Sequence, residues 1–324
     1  MKRIFPNVLL ITALLLLNFQ QLWSQRILYV DQFYHILGDE DKEESLLNFT
    51  RDNGFDKIIL YDLHKINKDY PLSDFSRNGI LAQFISKAKL KYGIKEVSGS
   101  GENGEFFINA IDAYNRSRKN ESEKFDAYNL EYEYWKPEES ADGGYYCESY
   151  LEKFGRKCNR QESFRFYIES LATMKALAKK NRHKVKIEAY VGRFTKGEIE
   201  QISKYVDRLL VHVYVNHPKK GFFYANKRLQ YLSELDKKPK VSIIYSSEIL
   251  FMGGWFKYNS LTKAEKIFVK TMEGENNSLA KRINFTNFTY YNYNYLSKSI
   301  NYYANASHVY NTEDIPSKVS TDLK

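Results

Sequence analysis

Eight strand-like segments alternate with helix-like segments along most of this 324-residue chain. The first kind is short and rich in Val, Ile, Leu, Tyr and Phe, and the second repeats apolar residues at helical spacing. The predicted strands are 27–33, 57–63, 94–97, 125–135, 185–194, 208–215, 240–246 and 283–291. The predicted helices are 41–52, 74–92, 105–116, 162–180, 196–205, 224–237, 262–273 and 295–304. Alternation of this kind predicts parallel βαβ units, and eight of them predict a closed (β/α)8 TIM barrel.

An open, doubly wound sheet is the alternative architecture. Such sheets hold a phosphate at a glycine-rich turn after the first strand, and no such turn follows segment 27–33. The closed barrel is therefore favoured. Barrel enzymes carry their chemistry at the C-terminal ends of the strands, so polar residues there are the candidates for a site.

The N-terminus has the features of a secretory signal. Lys2 and Arg3 precede the apolar run 8–17, and a polar exit follows. The apolar run is too short for a typical membrane span, although an uncleaved anchor is an alternative. The predicted organisation is a signal peptide over 1–24, a barrel domain over 25–310 and a polar tail over 311–324. This organisation predicts a secreted or periplasmic protein with no stable membrane span after cleavage.

Charge and cysteine content narrow the function classes. The net charge is +9, but the basic residues are scattered, which together with export argues against a nucleic-acid partner. Cys147 and Cys158 are close in sequence, and in an exported chain they predict a disulfide. With two cysteines and six dispersed histidines, we expect neither a metal site nor a cofactor.

Segment 125–135, with the sequence FDAYNLEYEYW, is the most informative stretch. Side chains alternate along a strand, so Asn129, Glu131 and Glu133 share one face. Two acids and an amide are costly to bury without partners, which indicates a functional site. An edge strand with a solvated acidic face is the alternative.

These residues resemble the signature D-x-x-D-x-D-x-E of glycoside hydrolase family 18, the chitinases and endo-β-N-acetylglucosaminidases. Here the same frame holds Asp126, Asn129, Glu131 and Glu133, so the first and last positions match and the two middle ones differ. The family uses substrate-assisted catalysis. The resemblance implies that Glu133 is the general acid and that Glu131 and Tyr214 hold the 2-acetamido group of the substrate.

The same resemblance supplies weaker candidates. Ser98 is similar to the serine of the family's third-strand turn, and Tyr214 in HVYVN is similar to its sixth-strand tyrosine. The family's eighth strand offers a tryptophan floor, for which this chain has Phe288 or Tyr290. The predicted substrate-binding residues are Asn129, Trp135, Ser98, Tyr190, Asn216, Tyr290 and Trp255.

The resulting functional prediction is an exported glycoside hydrolase that cleaves β-linked N-acetylglucosamine glycans, such as chitin-like oligomers or N-glycan cores, with retention. The changes at Asn129 and Glu131 leave an alternative, a barrel that binds glycans without cleaving them. A third interpretation is an exported barrel with an unrelated substrate, whose acids pair with Lys or Arg across the barrel.

Overall fold

The computed structural model describes residues 25–309, in which eight parallel strands close into a barrel. Each strand pairs with its neighbours in sequence, and the first pairs with the eighth. The strands are β1 (Arg26–Val30), β2 (Phe55–Leu60), β3 (Glu96–Gly101), β4 (Ala127–Leu130), β5 (Lys186–Val191), β6 (Arg208–His212), β7 (Lys240–Ser246) and β8 (Phe285–Tyr291). The predicted TIM barrel is confirmed. The predicted signal peptide (1–24) and polar tail (311–324) lie outside the described residues.

A main helix follows each strand. These helices are α1 (Glu40–Asp52), α2 (Gly79–Tyr92), α3 (Asp112–Ser117), α4 (Arg160–Lys180), α5 (Lys196–Ile202), α6 (Pro218–Ser233), α7 (Leu261–Arg282) and α8 (Tyr293–Val309). The longer of the additional helical segments are Leu63–Asp69, Phe107–Ile111, Cys147–Leu151 and Ile249–Gly253. Within residues 25–309, none of the helices combines the length and apolar character needed to cross a bilayer.

The first two strands end earlier than predicted because the chain turns sharply after each. Gln32 has φ 51° and Asp62 has φ 61°, so both adopt the left-handed conformation that interrupts a strand. Neither is a glycine, and residues held in this region concentrate at functional sites. Both turns lie at the end of the barrel where the strands finish.

The third strand, in contrast, extends beyond its predicted end at residue 97. The Ser-Gly-Ser-Gly stretch that we predicted to be a turn is the buried second half of β3. Its glycines let the next helical segment approach closely: a Cβ on Gly101 would lie 2.8 Å from the ring of Phe106, and one on Gly99 would lie 3.1 Å from Ile111. Glycine is therefore required here by packing against the strand rather than by a turn.

An ion-pair network fills the lower part of the barrel interior. Arg208 of β6 binds both Glu96 of β3 and Glu188 of β5, and the hydroxyl of Ser98 donates to Glu188 over 2.9 Å. β3 is adjacent to neither β5 nor β6 in the barrel, so the contacts of Glu96 with Arg208 and of Ser98 with Glu188 cross the interior. All four residues are buried. Buried charges of this kind must be paired to be tolerated.

The hydrophobic core lies between the barrel and the ring of helices. Tyr245 of β7 and Phe288 of β8 both pack against Phe268 of α7, with ring centroids 6.4 and 5.6 Å apart. Parallel strands covered on their outer face by helices need such apolar side chains. The outward-facing side chains of the strands therefore stabilise the fold. A functional site must be sought among the inward-facing side chains.

We expect Arg208→Met to destabilise the protein by about 3–5 kcal/mol, because Glu96 and Glu188 would face each other without a counter-charge. Equilibrium urea unfolding would measure the loss. Lys196→Met is the control, since Lys196 pairs with Glu234 on the surface, where ion pairs contribute little. Equal stability of the two variants would contradict a structural role for the network.

Candidate active site

A cavity of about 430 Å³ opens where the strands end. Its acids are Asp62, Glu102, Glu131, Glu133 and Glu139. Its tyrosines are Tyr61, Tyr145, Tyr146 and Tyr291. The lining comes from the ends of β2, β3, β4 and β8 and from the long loop after β4, which is the end of the barrel where such enzymes carry their active sites.

Glu131 follows β4 directly and lies deep in this cavity. Its backbone N–H donates to the carbonyl of Gly101 over 3.0 Å, which extends the pairing of β3 and β4 by one residue. Its Oε2 is buried and accepts no hydrogen bond from the described residues. Burial, and then the charges of Glu133 and Glu102, raise the pKa of Glu131 well above its usual range. A neutral carboxyl is therefore favoured here.

Glu133 lies two residues further on and lines the same cavity. Its backbone N–H donates to the hydroxyl of Tyr146 over 3.0 Å, and its carboxylate forms an ion pair with Lys136. Lys136 remains half-exposed, so the pair sits at the cavity rather than inside the barrel. Glu131 and Glu133 thus line the same open cavity, and Glu133 has a cationic partner in Lys136.

Tyr214 lies near both acids, in a stack of rings. It packs 3.9 Å from His212 and 6.2 Å from Tyr291, which lines the cavity. Burial raises the pKa of Tyr214, although a hydrogen bond from Tyr190 opposes the rise. Burial also lowers the pKa of His212 to about 3, so this ring is neutral. The stack presents phenol groups, not charges, to Glu131 and Glu133.

Glu102 is a cavity residue that the sequence reasoning did not select. The hydroxyls of Tyr61 and Tyr145 donate to it over 3.3 and 2.8 Å, and that of Tyr150 donates as well. A signal was available in the sequence, because Glu102 continues the inward alternation of Glu96, Ser98 and Ser100. The predicted turn over 98–101 concealed this alternation.

Asp31 follows β1 at the same end of the barrel. Burial raises its pKa to about 6, with a smaller contribution from Asp62, while a hydrogen bond from the backbone N–H of Asn294 opposes the rise. The peptide bond between Tyr291 and Asn292, nearby on β8, is cis.

Two predicted substrate-binding residues lie below the cavity. Asn129 is fully buried, and its Oδ1 accepts hydrogen bonds from Tyr29 and Ser100 over 2.9 and 3.1 Å. Ser98 is also buried, with its hydroxyl on Glu188. Both side chains hold strands together across the barrel, so their predicted roles in contacting substrate are corrected to structural ones.

Trp135 and Tyr190 pack against each other near the top of β5. The Trp135 ring lies directly over Gly192, where a Cβ would approach within 2.3 Å, and its centroid is 5.3 Å from that of Tyr190. Both residues are buried. Neither offers an open aromatic face for stacking on a sugar, and this part of the prediction is wrong for the structure as it stands.

Three further predicted residues lie away from the cavity. Tyr290 points outward and donates to Glu265 of α7 over 2.7 Å, so the adjacent Tyr291 takes the inward place on β8. Asn216 is exposed and accepts from Lys220. Trp255 is partly buried beside Phe256, in the segment after β7. None of the three is among the residues that line the cavity.

The predicted disulfide between Cys147 and Cys158 is confirmed. It closes the loop after β4 from which Tyr145, Tyr146 and Tyr150 reach the cavity. Within residues 25–309, the one group of three metal-ligand side chains close enough to share an ion is Asp142 with these two cysteines. Their sulfurs are already bonded to each other, so this group is not a metal site.

No protein-family model matches this sequence, and no curated protein matches it. Solved structures do share its fold. The catalytic domain of a family GH18 chitinase from the fern Peteris ryukyuensis is 10% identical, with a TM-score of 0.50, over 88% of this chain and 98% of that one. A family 18 chitinase from Crocus vernus is 12% identical, with a TM-score of 0.46, over 88% and 98%. A 2,3-dimethylmalate lyase is 8% identical, with a TM-score of 0.42, over 90% and 81%.

At identities this low, the similarity shows the barrel fold and nothing more. Barrels of this kind host many unrelated reactions. The function must therefore be argued from the cavity and its side chains.

We expect Asp31→Asn to change how stability depends on pH. The folded pKa of about 6 lies above the usual value near 3.8, so the folded state holds this proton more tightly and wild-type stability falls as pH rises through this window. Asparagine has no proton to lose, so the variant should gain about 3 kcal/mol over wild type at pH 7 and nothing near pH 3.

Urea unfolding from pH 3 to pH 8 would measure this difference. Asp41→Asn, on the exposed surface of α1, controls for the loss of one negative charge. A constant difference between Asp31→Asn and wild type across this range would contradict the raised pKa of Asp31.

Proposed function

We propose that this protein is an exported glycoside hydrolase that cleaves glycans containing β-linked N-acetylglucosamine. The proposal includes a signal peptide over 1–24, a catalytic barrel domain over 25–310 and a polar tail over 311–324. It draws on the resemblance of the fourth-strand motif to glycoside hydrolase family 18. The family is associated with chitin-like oligomers and N-glycan cores, and either class fits the proposal.

One observation carries the proposal. Glu131 and Glu133 line a single open cavity at the end of β4, and the deeper carboxyl favours its neutral form. A carboxyl that holds a proton beside a second carboxyl is what an enzyme needs in order to pass a proton to a leaving group. An acid that only stabilised the fold would have a partner, but Oε2 of Glu131 has none among the described residues.

The proposed reaction proceeds in two steps. When substrate displaces Lys136, Glu133 takes the proton held by Glu131 and donates it to the glycosidic oxygen as the bond to the anomeric carbon breaks, and the oxygen of the substrate's own 2-acetamido group attacks that carbon. The resulting cyclic oxazolinium ion is then opened by water, from which Glu133 takes back a proton. The configuration at the anomeric carbon is retained because it is inverted twice.

Glu131 and Tyr214 are assigned to the acetamide. The neutral carboxyl of Glu131 can accept the acetamide N–H and share its proton with Glu133, while the hydroxyl of Tyr214 can fix the group's orientation. Where the family has aspartate, Glu131 is one methylene longer, which brings its carboxyl nearer to the cavity. Positional precision matters here, since an error of about 1 Å can cost on the order of 100-fold in rate.

We expect Glu133→Gln to reduce turnover by about 10²–10⁴-fold, because the amide has no proton to donate to the leaving oxygen. The purified protein and its variant would be incubated with chitooligosaccharides and with high-mannose glycoproteins, and products would be identified by mass spectrometry. Glu139→Gln removes another carboxylate of the same cavity and is the matched control. Full activity of Glu133→Gln would refute the assignment.

Glycan binding without cleavage is the second candidate, and the ion pair of Glu133 with Lys136 favours it. A carboxylate paired with lysine is poorly placed to act as an acid unless the substrate displaces that lysine. Calorimetric titration with chitooligosaccharides would separate the candidates. Heat of binding with no cleaved product favours a binding protein, whereas any product that disappears with Glu133→Gln favours the enzyme.

A further inference from the structure

We propose that Glu102 is a positioning residue for Glu131. Glu102 lies at the end of β3 and places a carboxylate beside Glu131. Asn129, two residues before Glu131 on β4, is an amide and does not supply one. Its importance for catalysis rests on the function proposed above, but its effect on Glu131 can be measured whether or not the protein is an enzyme.

The strand register brings the two acids together. In β3 and β4, Ser100 is paired with Asn129 and Gly101 with Leu130. The hydrogen bond from the N–H of Glu131 to the carbonyl of Gly101 continues this register. Glu102 and Glu131 are therefore adjacent across the two strands, and both line the same cavity.

Three phenols fix the carboxylate of Glu102 in place. Tyr61 reaches it from the end of β2, and Tyr145 and Tyr150 reach it from the loop after β4. No lysine, arginine or histidine within residues 25–309 forms an ion pair with it. Its negative charge is consequently held beside Glu131 without a counter-charge, unlike that of Glu133, which is paired with Lys136.

Asn129 cannot take this part. As an amide it carries no charge, and its Oδ1 is already occupied by the hydroxyls of Tyr29 and Ser100. Besides Glu133, which follows Glu131 in the same segment, the larger acidic contribution to Glu131 therefore comes from another strand. Glu102 is the cavity acid at the register position beside Glu131.

Other groups also face Glu131, and each has a defined effect. They are the acids Glu133 and Asp62, the base Lys136, and the phenols of Tyr29, Tyr61, Tyr146, Tyr190, Tyr214 and Tyr291. The acids disfavour an ionised Glu131 and Lys136 favours it. Glu102 adds to the first group, so its removal should make Glu131 easier to ionise.

The test is a carboxyl ¹³C NMR titration of protein labelled at glutamate, with the Glu131 signal assigned by its absence in Glu131→Gln. In Glu102→Gln, we expect the pKa of Glu131 to fall by about 1 relative to wild type, because a like charge has been removed. Glu139→Gln removes a carboxylate elsewhere in the cavity and should leave the Glu131 signal unchanged. An equal titration of Glu131 in wild type and in folded Glu102→Gln would overturn the proposal.

A second pair of variants covers the possibility that Glu102→Gln does not fold. Glu102→Asp and Glu102→Asn have the same size and differ in charge, so only the asparagine variant should lower the pKa of Glu131. Equal titration of Glu131 in these two proteins would likewise overturn the proposal, because an anchoring role for the side chain would not depend on its charge.

Turnover gives an independent readout. If the wild type cleaves chitooligosaccharides, the alkaline limb of its pH–rate profile should move to lower pH in Glu102→Gln by the same amount. Absence of turnover in the wild type would contradict the proposed function, while the NMR titration would still decide the relation between Glu102 and Glu131.

Discussion

The closed ring of parallel hydrogen bonds determines most of what this molecule can do. In a barrel, alternate residues of each strand must face inward, and their height is fixed by the register with the neighbouring strands. Arg208, Glu96 and Glu188 consequently meet in the lower interior, and Tyr29 and Asn129 meet above them. Glu102, Glu131 and Tyr291 lie at the end of the barrel where the strands finish, and they line the cavity there. The acidic cavity is thus a result of strand register, and the loops complete it.

The charge of the cavity contrasts with that of the whole chain. The protein carries a net charge of +9, yet five carboxyl side chains line one small cavity. Lys65 pairs with Asp62 and Lys136 with Glu133, while Glu102 and Glu131 have no cationic partner among the described residues. Burying like charges together opposes folding. The acidic cluster at this open site therefore opposes the stability of the fold, and it is the feature on which the proposed function rests.

The sequence was sufficient to predict the fold, because eight alternations of strand and helix leave few architectures. It also located Glu131 and Glu133, since alternation on one strand is a local property. It misplaced Tyr290 because that residue was chosen by resemblance to the family's eighth strand, although polar Asn287 and Thr289 alternate with Phe288 and Tyr290 and so place Tyr290 on the outward face. The bulge between Val241 and Ser242 in the pairing of β7 with β8 also alters the register there.

Other errors arose partly from interactions that are distant in sequence. Ser98 was assigned to a turn because it is similar to the serine of the third-strand turn of glycoside hydrolase family 18, whereas its glycine neighbours are required for packing against Phe106 and Ile111. Glu102 was overlooked because the predicted turn concealed the alternation of Glu96, Ser98 and Ser100 that it continues. Trp135 was expected to face open space, but Gly192 leaves room for its ring to close over the barrel. The packing of the β3 glycines and of Trp135 depends on contacts that single-sequence patterns do not contain.

The loop after β4 is a separately fastened part of the cavity wall. The bond between Cys147 and Cys158 ties it down just before α4, and its three tyrosines reach back to Glu102 and Glu133. No strand of the barrel depends on that segment for its pairing. Changes within that segment can therefore alter the shape of the cavity wall while the hydrogen bonds that close the barrel stay in place.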